Sequence, residues 1–154
     1  MDKPVLFCYD GSAGSKSALA AAAGLVMHPA DAVVLAVWTP IAIQLARGGS
    51  LMTAVPNEGE IDAEERAAAQ RIAEEGAAGA RARGYDATAR VAEANESVAR
   101  TIGEVAREID AGLIVCGQRG RGAITSALLG SVSHALSAHA ERPVLIAPQH
   151  MSDA

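Results

Sequence analysis

This sequence predicts a single α/β domain built on an open parallel sheet, and three observations carry the prediction. Short runs of β-forming apolar residues recur along the chain and read as strands buried on both faces. Segments with apolar residues at helical spacing lie between them, and the strict alternation calls for a parallel sheet with helices on both faces. The chain has 154 residues, 50% hydrophobic and 20% charged, which suits one compact core and argues against disorder.

Val5-Leu6-Phe7-Cys8-Tyr9 is the first strand, closed by Asp10-Gly11-Ser12. Leu19, Ala22, Ala23 and Val26 then recur at helical spacing until His28-Pro29, where proline forbids continuation. Ala32 to Trp38 is the second strand, ended by Thr39-Pro40. Ile41 to Gly59 contains Gly48-Gly49-Ser50 and Pro56-Asn57 without sustained periodicity, and reads as a long loop of the kind that serves as a lid. From Glu60 to about Arg83 strong helix formers place Ile61, Ala68, Ala69, Ile72, Gly76 and Ala80 on one small-residue face.

Gly84 ends that helix, and the alternating stretch Tyr85 to Ala94 reads as the third strand. Asn95 or Ser97 caps a helix carrying Val98, Ile102, Val105, Ala106 and Ile109. Leu113 to Cys116 is the fourth strand, broken at Gly117, and Val132, Ala135, Leu136 and His139 mark a last helix. Pro143-Val144-Leu145-Ile146-Ala147-Pro148 is the fifth strand, and the proline at each end marks it as an edge strand.

With 13 Lys and Arg against 18 Asp and Glu, the net charge is -5, which argues against a broad nucleic-acid footprint. The apolar stretches Ala18–Met27 and Ala30–Trp38 fall short of the roughly 18 to 20 residues a membrane span needs, and Met1-Asp2-Lys3-Pro4 has no signal-peptide layout. The expectation is a cytoplasmic protein with no membrane or nucleic-acid partner. Cys8 and Cys116 sit inside apolar runs with no CxxC or Cys/His spacing, so they read as buried reduced thiols rather than a zinc or redox motif.

In parallel sheets of this kind, ligands sit at the carboxyl ends of the strands, where the winding reverses. The segment from Gly117 to Ser133 follows the fourth strand. Gly117 and Gly120 are expected to take positive φ and turn their amides inward. Gly130 and Ser131 open a helix whose free N–H groups, together with the Ser131 and Ser133 hydroxyls, form a phosphate site, with Arg119 and Arg121 adding charge. The alternative is that these glycines only shape a turn and a cap. Asp10, at the end of the first strand, is either an acceptor for ligand hydroxyls or a turn former. Glu64, Glu65, Arg66, Glu74 and Glu75 read as a solvated helix face. Gly11 to Ser17 is not a P-loop, because Ser15 stands where glycine must precede the lysine, and no GxGxxG follows the first strand.

Gly117, Gly120, Gly130 and Ser131 match, without a gap, the pattern of G, two residues, G, nine residues, then G followed by Ser or Thr. Together with Tyr9-Asp10-Gly11-Ser12 and Arg142-Pro143-Val144-Leu145-Ile146, they make the chain resemble the universal stress protein family from Val5 to Pro148. The resemblance implies a Rossmann-like fold of the adenine nucleotide alpha hydrolase type, strand order 3-2-1-4-5, and ATP binding, with Mg²⁺ accompanying the nucleotide. It sets Cys8, Tyr9, Asp10 and Val37 against the adenosine, lines the nucleotide with Cys116, Gly117 and Gly120, and gives the phosphates to Gly130, Ser131, Val132 and Ser133. Trp38 then either covers the adenine or fills core.

The resemblance also implies a homodimer formed by pairing the last strands, through Val144, Leu145 and Ile146. Thr125 and Ser126 stand in the spacer where basic residues often occur in the family, a loss that Arg119 and Arg121 would offset. The functional expectation is an ATP-dependent stress-response switch without strong catalysis. One alternative is a slow ATPase or adenylyl-transferring enzyme, for which His134 is the only nearby acid or base. The other is an interaction module that needs no nucleotide.

Overall fold

The computed structural model describes residues 3–26, 30–49, 55–121 and 129–149. Their elements run β1 (Val5–Cys8), α1 (Ala13–Ala23), β2 (Ala30–Trp38), α2 (Ile41–Arg47), α3 (Glu58–Arg81), β3 (Tyr85–Glu93), α4 (Val98–Glu108), β4 (Leu113–Gly117), α5 (Ser131–His139) and β5 (Val144–Ala147). The strands form one parallel five-stranded sheet in the order β3-β2-β1-β4-β5. Winding reverses between β1 and β4, which makes their carboxyl ends the switch point. The sheet has the order and Rossmann-like class expected from the sequence, with β5 at an edge.

Side-chain alternation divides each strand between two cores. Val5, Phe7, Tyr9, Val34 and Val115 face α1 and α3, while Leu6, Leu35, Ile114 and Cys116 face α4 and α5 with Ile102, Val105 and Leu136. Phe7 meets Tyr85 edge to face, centroids 5.1 Å apart. Helix α3 lies close on the sheet because its inner face is Ala69, Ala73, Gly76, Ala77 and Ala80, all buried. A Cβ on Gly76 would stand 2.7 Å from both the Tyr9 ring and Val34.

Local chemistry sets the helix ends. The hydroxyl of Ser12 accepts the Ser15 N–H at 3.2 Å, and that of Ser97 accepts the Arg100 N–H at 3.1 Å, each satisfying one of the unpaired donors of a first turn. Gly84, with φ +93°, turns the chain from α3 into β3. The expected stop of the first helix at His28-Pro29 lies outside the described residues, and α1 is capped earlier, at Gly24.

The segment from Ile41 to Gly59 departs from the expected long loop. It opens with α2, and α3 already begins at Glu58. Seven residues between Pro40 and Gly48 are too few for the periodicity test that long helices pass, and α2 buries no residue that would create an apolar stripe. Polar links hold it instead: the Ile41 N–H donates to Asp62 Oδ1 at 2.9 Å, and Arg47 donates to the Glu96 carbonyl.

Candidate functional site

At the switch point a cleft of about 860 Å³ opens over the carboxyl ends of β1, β2 and β4. Cys8, Tyr9, Asp10, Val37, Cys116, Gly117, Arg119, Gly120, Gly130, Ser131, Val132 and Ser133 all line it. Residues scattered over three strand ends and one helix start therefore meet in one place. One wall is apolar, with Val37, Val98 and Ile102, and another is the glycine-rich turn with the start of α5. Thr125 and Ser126 of the spacer lie outside the described residues.

The glycines act differently from the expectation. Among the described glycines, positive φ occurs at Gly11, Gly49 and Gly84, and neither Gly117 nor Gly120 adopts it. Close approach is what requires them to lack a side chain. A Cβ on Gly117 would stand 2.6 Å from the Gly14 backbone, and one on Gly14 would stand 2.2 Å from the Arg119 carbonyl oxygen. The start of α1 and the end of β4 thus cross backbone to backbone. A Cβ on Gly120 would reach 2.6 Å from Asp10 Oδ2.

Asp10 is the clasp of this crossing. Its Oδ1 accepts the Ser12 N–H at 2.9 Å and its Oδ2 accepts the Arg121 N–H at 3.0 Å. Burial opposes its ionisation, but the hydrogen bonds from Ser12, Arg121 and Ser15 outweigh that and hold its pKa below the ordinary 3.8. It is both a turn former and a carboxylate at the cleft rim.

At α5 the cap residue Gly130 supplies no side-chain bond, so the N–H groups of Ser131, Val132 and Ser133 lack an acceptor one turn back within the helix. Ser131, Val132 and Ser133 line the cleft, and amides at the positive end of a helix suit an anion. The Ser133 hydroxyl does not join them as expected. It donates within reach of the Gln118 carbonyl at 2.8 Å and the Gly130 carbonyl at 3.1 Å, and is buried there. Ser133 ties the turn to the helix, and Ser131, exposed, is the hydroxyl left to a ligand.

Tyr9 is buried, and its hydroxyl donates to Glu75 Oε1 at 2.8 Å, with Lys16 Nζ 3.3 Å from the same oxygen. Burial first, then this bond, pushes the Tyr9 pKa upward. Glu75 is therefore more than a solvated charge. Burial pushes the Cys8 thiol well above its ordinary range, with Cys116 and Asp10 adding to the effect, and pushes Cys116 up to about 11. Trp38 is core, at 6% exposed, and it also lines the cleft, with Arg66 5.1 Å over its ring. His134 is exposed and does not line the cleft.

Gln44 and Arg47 line the cleft too, and sequence reasoning missed them because it left their segment unstructured. The signal was present in a run of helix formers bounded by Pro40 and Gly48.

The sequence matches the model of the Universal stress protein family over residues 1–148. A universal stress protein of Mycobacterium tuberculosis (strain ATCC 25618 / H37Rv) is 43% identical over 49 residues, which make up 32% of this chain and only 15% of that protein. A structure from the universal stress protein family of Burkholderia pseudomallei superposes with TM-score 0.70 at 27% identity, covering 95% of this chain and 96% of that one. A hypothetical protein whose biochemical function was assigned from its structure gives TM-score 0.78 at 19% identity over 99% of both chains.

Two further fold matches were solved with nucleotides. A universal stress protein in complex with cAMP has TM-score 0.66 and 22% identity over 97% of this chain and 98% of that one. One from Archaeoglobus fulgidus in complex with dAMP has TM-score 0.63 and 19% identity over 94% of this chain and 97% of that one.

Proposed function

The chain belongs to the universal stress protein family, and from that premise we propose that its cleft binds an adenine nucleotide, ATP foremost, with occupancy rather than turnover as its output. The observation that carries this reading is the chemical division of the cleft. Open N–H groups of α5 beside Arg119 and Arg121 suit phosphates, and the wall of Val37, Val98 and Ile102 suits a flat apolar base. A volume of about 860 Å³ lies within the range of small-molecule sites. The cAMP and dAMP complexes of structural neighbours support adenine as the base.

In this reading Asp10 accepts from ribose hydroxyls, and the amides of Ser131 to Ser133 hold the phosphates without moving a proton. Among the described residues no group of three or more His, Cys, Asp or Glu side chains is gathered to hold a metal. In this reading Mg²⁺ would be held by the triphosphate and its own waters. The residues present fit that arrangement. His134, exposed and away from the cleft lining, brings no imidazole to the phosphates. Gln44 and Arg47 couple occupancy to α2, the ordered part of the segment read as a lid, and a dimer built on β5 would carry the signal onward.

Calorimetric titration with ATP and Mg²⁺, and with AMP and cAMP, of the parent and of Ser131→Asp tests this. A carboxylate in the first helical turn stabilises α5 by about 0.3–1 kcal/mol but repels a phosphate. The expected result is ATP affinity at least about tenfold weaker, or about 1.4 kcal/mol, with an unchanged or higher Tm. Absence of binding by the parent to all three nucleotides, or equal affinity in the variant, would overturn the reading. Accumulation of ADP on long incubation would make the protein an ATPase.

A further inference from the structure

The only two cysteines of the chain meet at the floor of this cleft. β1 and β4 pair in parallel as far as Phe7 beside Val115, and Cys8 and Cys116 follow directly on the two strands, near enough for Cys116 to act on the Cys8 thiol. Both side chains lie on the face covered by α4 and α5, following Leu6 and Ile114 on their strands. Neighbouring strands run about 4.8 Å apart, inside the roughly 4.4–6.8 Å Cα separation that a disulfide spans. Cys8 is half-buried and lines the cleft, and Cys116 is buried beside it. Cys8 is the more exposed of the two, so it is the first sulfur met by an oxidant that enters the cleft.

We propose that Cys8 and Cys116 form a reversible intramolecular disulfide beneath the cleft, a redox modification site for oxidants of the peroxide class. The Cys8 sulfur, as thiolate, attacks one peroxide oxygen. The O–O bond breaks, hydroxide leaves and takes up a proton, and Cys8 is left as a sulfenic acid. The Cys116 sulfur then attacks Cys8 Sγ, the S–S bond forms, and the sulfenic oxygen leaves as water with the Cys116 proton. Two thiols lose two electrons and two hydrogens, and one peroxide becomes two waters. The raised thiol pKa values keep the pair protonated near neutral pH, so sustained rather than trace peroxide is required.

The bond replaces two separate thiols at the cleft floor with a rigid link between the ends of β1 and β4, and so weakens nucleotide binding. That consequence rests on the proposed nucleotide site; the bond itself does not. The test exposes dilute full-length protein to hydrogen peroxide, alkylates it with iodoacetamide without reduction, and weighs it intact. The expected product is a monomer two hydrogens lighter that takes no alkyl group and is restored by dithiothreitol. In Cys116→Ala, Cys8 is expected to be trapped by dimedone. Full alkylation of both cysteines after peroxide, or conversion to disulfide-linked dimers, overturns the proposal. An oxidised protein with undiminished affinity for AMP overturns the coupling to the cleft. Absence of AMP and ATP binding by the reduced protein overturns the nucleotide reading and leaves the mass result to decide the bond.

Discussion

Asp10 shows how one side chain makes folding and recognition share the same atoms. Its two oxygens accept backbone N–H groups from either side of the switch point, and its folded pKa lies below the ordinary 3.8. A depressed carboxylate contributes stability that is fully present above the unfolded pKa and is lost as pH falls through the folded one. Urea unfolding of the parent is therefore expected to weaken below about pH 5. In Asp10→Asn this residue's share of the acid dependence disappears, so the acid limb is shallower. Asn also presents an NH₂ group to one of the two N–H donors, which costs about 1–3 kcal/mol at neutral pH. An acid limb identical in parent and variant would show that the clasp carries no linkage. Gly117 belongs to the same scale: any side chain there meets Gly14, so its substitution reports packing before it reports a ligand.

At the scale of elements, helix packing decides which glycines are needed. Gly76 and Gly103 both sit inside helices, and alanine improves helix propensity at either by about 1 kcal/mol. At Gly103 in α4 a Cβ meets nothing within 4 Å, so Gly103→Ala is expected to stabilise by about that amount. At Gly76 in α3 the Cβ would stand 2.7 Å from Tyr9 and Val34, both buried. Overpacking costs about 1–3 kcal/mol and outweighs the propensity gain, so Gly76→Ala is expected to destabilise. Thermal or urea unfolding of the two variants checks the opposite signs. Helix α2 illustrates the converse, a short element with no buried side chain, held by polar links and placed against the cleft.

For the whole molecule the open question is the edge. The carbonyls of Pro143 and Ala147 accept from β4, at Ile114 and Gln118, so by alternation the Val144 and Ile146 N–H groups point to the open side of the sheet. An edge with free donors and half-buried apolar residues invites pairing, which supports the proposed β5 homodimer. Sedimentation equilibrium is expected to give a dimer for the parent. Val144→Pro, at the first strand position where proline is tolerated, removes one outward donor and is expected to shift the equilibrium toward monomer. A parent that is monomeric at every concentration would exclude the dimer. No helix among the described residues is long and apolar enough to cross a membrane.

Much of this architecture was legible in one dimension. The β-forming runs at Val5, Ala32 and Leu113, the serines before α1 and α4, and the prolines around β5 each state a local preference, and local preferences survive into the fold. The glycine spacing from Gly117 to Ser131 was readable in the same way, and it marked the wall of the cleft. What could not be read were meetings between segments far apart in the chain. The crossing of Gly14 with Gly117, the capture of the Ser133 hydroxyl by Gln118, the arrival of Gln44 and Arg47 at the cleft, and the nearness of Cys8 to Cys116 depend on register and helix placement. Periodicity reports which face a residue occupies. Only the packed sheet, whose neighbours are set by the best burial of all faces at once, decides what that residue touches.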